Sequence, residues 1–201
     1  MAQRERARPQ QDRAVHTRAL LMATAVTILE TEGADRLSTA AVSRRAHLSS
    51  GTFYRYFNDR SDLLAALREQ MVAAIKDDLM EAVVEALDLD VEPALRLVVT
   101  TLVDGFEEHR GVLLALVDQA PAGTNANLLP EIERDLRRLA ALLPRRHLRD
   151  LPADQLDGVV FMLMGVLVST CLRIALTPPP GVSRERLVDL AVAMVGAGFR
   201  S

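Results

Sequence analysis

STAAVSRRAHLSSGTFYRYFNDR, residues 38–60, is the stretch on which the reading of this chain turns. Val42 and Ala46 stand four apart, as do Phe53 and Phe57, so each pair shares one helical face. Two short helices packed through those faces follow, with Ser38 and Ser49 as N-caps and His47-Leu48 as the turn between them. At about 100° per residue, Phe53 and Phe57 point inward, while Gly51, Thr52, Arg55 and Tyr56 fan across the opposite arc. Ser50 and Tyr54 lie at its edges. Hydroxyls and phenols donate to phosphates, arginine pairs bidentately with guanine, and glycine lets a backbone come close. An ordinary surface helix would more usually carry Glu and Lys. The stretch reads as a helix-turn-helix that enters a DNA major groove.

The rest of the composition allows this. The 201 residues, 49% hydrophobic and 25% charged, are globular and long enough for a core without disulfides or metal. Net charge is −3, which argues against indiscriminate nucleic-acid binding. Its distribution is uneven. Residues 1–60 hold ten arginines against six acidic residues, about +4, and the remainder holds 14 basic against 21 acidic, about −7. A basic head on an acidic body suits a protein whose N-terminal end meets phosphates. The lone Cys171 sits in an apolar run and reads as a buried structural thiol in a reducing compartment. MAQRERARPQQDR has no apolar core of the secretory kind, and the apolar run Val159–Leu172 is too short to span a bilayer. A cytoplasmic protein is expected.

Along the chain the pattern is helical throughout. Residues 1–14 read as a flexible basic arm, residues 15–62 as the DNA-binding domain, and residues 63–201 as a helical body. The first helix is predicted over Val15–Glu32, its stripe Leu21, Ala25, Ile28 and Leu29, with Gly33 as its stop. Asn58-Asp59-Arg60-Ser61-Asp62 opens a long helix to about Leu87, a natural lever between head and body. Further helices are predicted over 91–109, 111–119, 129–143, 153–176 and 183–199. Residues 121–127 (PAGTNAN) read as a loop, and residues 144–152 as a basic connection. No strand-period segment or internal repeat is seen. The fold class is all-α: a three-helix helix-turn-helix domain plus a C-terminal ligand-binding and dimerisation domain, about nine helices in all.

Enzyme chemistry finds little support. There is no G-x-S-x-G, P-loop, H-E-x-x-H or paired cysteine, and Ser49-Ser50-Gly51-Thr52 lacks the lysine of a phosphate cradle. The four histidines are scattered, so neither a metal nor a cofactor is expected. A helical adaptor without DNA reading would have no use for the polar tips of Tyr54, Arg55, Tyr56 and Arg60.

The segment Leu21–Leu64 resembles the TetR family of transcriptional regulators. The resemblance is carried by Gly33, Ser38, Val42, Ala46, Ser49-Ser50-Gly51-Thr52-Phe53-Tyr54-Arg55-Tyr56-Phe57 and Arg60, followed by Leu63. It implies a homodimer that binds a palindromic operator on double-stranded DNA and is released by a small-molecule effector in the body. It implies Thr39, Tyr54, Tyr56 and Arg60 against phosphates and Ser50, Thr52 and Arg55 near base edges. Ser38, Ser49 and Gly51 complete the DNA-facing set. Two positions depart from the pattern: His47 stands where the turn usually has glycine, and Ser50 replaces a frequent lysine. Dimerisation is also expected physically, since one module makes too few contacts for selective binding. The last two helices are the candidate interface, through Gly158, Gly165, Val168, Ala191 and Val195. Candidate effector-pocket residues are Phe106, His109, Leu113, Asp118, Met162 and Met164.

Overall fold

The computed structural model describes residues 3–119, 141–148 and 152–198. All regular structure among them is helical, as the periodicity predicts. In order these are α1 (Gln3–Thr31), a 3-10 turn (Ala34–Arg36), α2 (Thr39–Arg45), α3 (Ser50–Phe53) and α4 (Arg60–Ala86). Then come α5 (Val91–Glu108), α6 (Arg110–Gln119), α7 (Leu142–His147), α8 (Ala153–Leu176) and α9 (Arg184–Ala197).

Two expectations change. The segment read as a flexible arm is helical from Gln3. Gln, Arg, Glu and Ala around Pro9 are all strong helix formers, and their summed propensity outweighs one missing backbone donor. Part of the basic connection is also helical, as α7. Its Pro144 is the third helical residue, where no intrahelical N–H bond is lost. The loop over 121–127 and most of the helix expected over 129–143 lie outside the described residues.

The chain divides into two compact units, Met1–Gln70 with Gly111–Gln119, and Met71–Arg110 with Ala120–Ser201. The division therefore falls within α4, at Gln70–Met71, and it assigns α6 to the first unit. In that unit Leu21, Ala25 and Ile28 of α1 are buried with Val42, Phe53, Phe57, Leu63, Leu64 and Leu67. α1 stops at Gly33, whose φ of 87° only glycine adopts without strain. Gly111 brings the start of α6 close to α1: a Cβ there would stand 3.1 Å from the Leu29 carbonyl carbon.

In the second unit α5, α8 and α9 pack against one another. α5 turns Leu95, Val98, Val99, Leu102 and Phe106 inward, α8 turns Val160, Met164, Val168 and Cys171, and α9 turns Val188, Val192 and Val195. Arg184 pairs with Asp104 and with Glu107 (3.0 Å), and Arg96 pairs with Asp189 (2.7 Å), so ion pairs tie both ends of α5 to the first half of α9. All are partly exposed, so they fix register more than they stabilise. Arg110 donates to the carbonyls of Leu176 (2.8 Å) and Ala175 (3.4 Å), satisfying the acceptors left open where α8 stops before Pro178. α8 has the length and hydropathy of a membrane span. Its inner face is nevertheless the core of this unit.

Burial pushes the Cys171 thiol from its ordinary 9.0 up to about 12. We expect it to resist alkylation at pH 8 in the native protein and to react once the chain is denatured; equal rates would contradict the burial. The folded thiol keeps its proton until about 12, whereas the unfolded one ionises near 9.0. Its contribution to stability is therefore complete below pH 9 and lost between 9 and 12, which a pH series of denaturant midpoints would show.

Candidate nucleic-acid interface

The two helices of the hairpin are held by caps and by an apolar seam. Ser38 Oγ accepts from Ala41 N–H (3.1 Å), and Ser49 Oγ accepts from Thr52 N–H (3.1 Å). Val42 and Phe53 are fully buried, and Ala46 and Phe57 nearly so. The Phe53 ring meets Phe57 at 5.7 Å and Tyr54 edge-on at 5.6 Å, while the Arg18 guanidinium lies 5.3 Å over Phe57. This is the inner face predicted from the four-residue spacing.

α3 itself is only four residues, continued through Tyr56 by tighter turns in which Arg55 N–H reaches Thr52 O and Tyr56 N–H reaches Phe53 O. The turn before it runs through His47 at φ 55°, the left-handed region usually left to glycine. Leu48 N–H donates to Ser43 O (2.9 Å), which closes the turn.

The outer face separates by task. Gly51 is exposed, and a Cβ there would meet only Ser49 Oγ at 3.8 Å, so packing does not demand glycine at this position. Arg55 is exposed, with no hydrogen bond or ion pair of its side chain among the described residues. Thr39 Oγ1 and Tyr54 Oη lie 3.4 Å apart, bringing the start of α2 beside α3. Thr52 Oγ1 lies 2.9 Å from Ser49 Oγ, and Tyr56 is half-buried.

Arg60 differs from its sequence reading. Its guanidinium donates to Ala34 O (3.2 Å) and ties the start of α4 to the 3-10 turn. Asp59 and Asp62 cap that start, Asp59 Oδ1 accepting from Asp62 N–H (2.8 Å) and Asp62 Oδ2 from Asn58 N–H (2.9 Å). Arg44 went unnoticed in the pattern: it is exposed and unpaired among the described residues, whereas its neighbour Arg45 pairs with Glu32. Two adjacent arginines in sequence do not reveal which is engaged.

The body residues sort differently. Among the expected interface residues, Val168, Ala191 and Val195 are buried within the second unit, Gly165 is half-buried, and Gly158 is exposed. The exposed apolar residues of α8 and α9 are instead Phe161 (59%), Met162 (64%), Val166, Leu190 and Met194 (66%). A helix apolar all round gives no sequence signal for which face is covered from within. Among the expected pocket residues, Phe106 and Met164 are core of the second unit, Leu113 is core of the first, and Met162 and Asp118 face outward. His109, the last of the six, is half-buried. A groove of about 610 Å³ between α1 and α4 and one of about 360 Å³ between α5 and α9 are lined by other residues.

A capped two-helix hairpin with a polar outer face, in a chain whose described residues form only helices, has the form of a helix-turn-helix DNA-binding module. Residues 21–67 match the model for bacterial regulatory proteins of the tetR family, and residues 90–197 match that for the tetracyclin repressor-like C-terminal domain. The chain belongs to the TetR family. It is 26% identical to the HTH-type transcriptional regulator BetI of Cronobacter sakazakii, over 83% of this chain and 82% of that one. An uncharacterised HTH-type transcriptional regulator of Mycobacterium tuberculosis is 27% identical over 96% of this chain and all of its own. Among solved structures, the fatty acid degradation regulator FadR from Bacillus halodurans superposes with a TM-score of 0.65 at 18% identity, covering 92% of this chain and 96% of that one.

The strained turn is open to test. His47→Gly removes a left-handed penalty of about 1–2 kcal/mol and adds unfolded-state entropy worth about half of that. The expected net gain is about 0.5–1 kcal/mol, or a melting temperature higher by about 1–4 °C. A lower melting temperature would show that the imidazole makes up for its backbone.

Proposed function

We propose that the chain is a ligand-responsive dimeric repressor that acts in the cytoplasm on a palindromic operator. The observation that carries DNA reading is the outer face of the α3 turn. Gly51 stands where packing does not need it, and Arg55 extends without a partner among the described residues. Both suit a backbone and a guanidinium brought against a groove. In this reading Ser50, Thr52 and Arg55 address base edges. Thr39, Tyr54 and Tyr56 set position on the phosphates, with Ser38, Ser49 and Arg60 holding the elements that present them.

Dimerisation is supported by the outward face of α8 and α9. Phe161, Met162, Val166, Leu190 and Met194 would be an uncovered apolar surface on a monomer. Facing the same residues of a second copy, they complete a four-helix bundle about a two-fold axis, with Gly158 and Gly165 allowing close approach. Two modules then meet successive major grooves. An effector bound in the second unit acts by shifting α4, so that the two modules no longer match the half-site spacing. Phe106, His109 and Met164 remain its proposed neighbours in that unit.

Random-site selection with the purified protein should enrich an inverted repeat, bound more weakly as salt rises. Enrichment of no sequence would sink the reading. Arg55→Ala should relax base preference at one position of each half-site, whereas Arg60→Ala should weaken all sites alike.

The interface makes its own forecast. Phe161→Glu with Met194→Glu should convert a dimer to a folded monomer in sedimentation and cost most of the operator affinity. A double variant that stays dimeric would place the interface elsewhere.

A further inference from the structure

Gly105 lies within α5, where alanine would be the better helix former. It is buried, and its position allows little else: a Cβ there would stand 3.0 Å from Ile75 Cγ1 and 3.7 Å from Ile75 Cβ and Cδ1. Ile75 belongs to the buried stripe of α4, with Met71, Leu79 and Val83, and is itself 3% exposed. The threatened atom is not the loose end of a long side chain. Cγ1 is one bond from Cβ on a β-branched residue, whose χ1 is stiff in a helix. Strain at this point therefore passes to the backbone of α4. In the second unit, α4 is seated on α5 through the missing side chain of Gly105.

We infer that Gly105 is a positioning residue for DNA binding, because its bare backbone sets where α4 lies. The inference rests on the reading of the chain as a dimeric operator-binding regulator. α4 is one uninterrupted helix from Arg60 to Ala86, so Ile75 and Arg60 are joined by about 22 Å of rod. Ala86, fully buried, holds the far end. A shift of a few tenths of an ångström at Ile75 becomes about 1 Å at Arg60 by simple leverage on a helix rising 1.5 Å per residue. In a two-fold pair both ends move, and base-edge hydrogen bonds are sensitive to displacements of that size. One half-site, met by one module, does not sense the change; two half-sites at a fixed spacing do.

The test compares the unmodified chain, Gly105→Ala, Ile75→Ala and the double variant on the selected full operator and on a single half-site at low salt. Gly105→Ala should keep half-site affinity within about twofold and lose about tenfold on the full operator. In the double variant Ile75 no longer has Cγ1, so full-operator affinity should return to that of Ile75→Ala alone. Full-operator binding by Gly105→Ala at the unmodified level overturns the inference. So does a loss of equal size on both DNAs, which would mark a damaged fold, or a loss that persists in the double variant. An unmodified chain that enriches no operator overturns the dimeric-regulator reading as well, since a seat for α4 then positions nothing.

Discussion

The interaction on which the molecule depends is the seating of Phe53 and Phe57 against α2 and α1. An isolated helix of four residues has no stability in water, because nucleation costs more than so few hydrogen bonds return. α3, Ser50–Phe53, is such a helix. Its orientation is imposed from outside, by two buried rings on one side and by the Ser49 cap at its start. The direction in which Gly51 and Arg55 project follows from where Phe53 and Phe57 are held. Burial on the inner side and reading on the outer side are one constraint seen from two faces.

That constraint explains the tolerance of a poor turn residue. His47 takes φ 55° at a cost, yet the alternative is to misplace two aromatic rings. Burying two Phe rings is worth roughly 3–6 kcal/mol, more than the roughly 1–2 kcal/mol a histidine loses in the left-handed region. The ring burial wins, and the turn bends to fit it. Arg60 follows the same logic: its bond to Ala34 O joins the start of α4 to the turn preceding α2.

How far the sequence alone reached depends on periodicity. Where a helix has one apolar face, as in α1 and α5, the stripe named the core: Leu21, Ala25 and Ile28 are buried, as are Leu95, Val98 and Phe106. The hairpin was legible for the same reason, with caps and aromatic spacing agreeing. Where a helix is apolar all round, the pattern holds no phase. Val168, Ala191 and Val195 were placed outward and lie inside, while Phe161 and Met194 stand exposed. The role of Arg60 was legible only as charge, because its acceptor is a backbone carbonyl 26 residues away. The extension of α1 to Gln3 was hidden by Pro9, a local breaker outweighed by good helix formers on both sides.

Selectivity then becomes a question of lengths as well as contacts. In the proposed reading each module offers a short outer face with one arginine, Arg55, unpaired among the described residues, so little discrimination is available per copy. Pairing two copies multiplies what each reads only if their separation matches the DNA repeat. That separation is not a property of α3. In the proposed dimer it is carried by α4 and by the face of α8 and α9. Arg110 on the terminal carbonyls of α8 and the ion pairs along α9 stiffen that body without adding a DNA contact. In that dimer residues far from any base would bear on which sequence is bound, because they fix the distance at which two weak readers act as one.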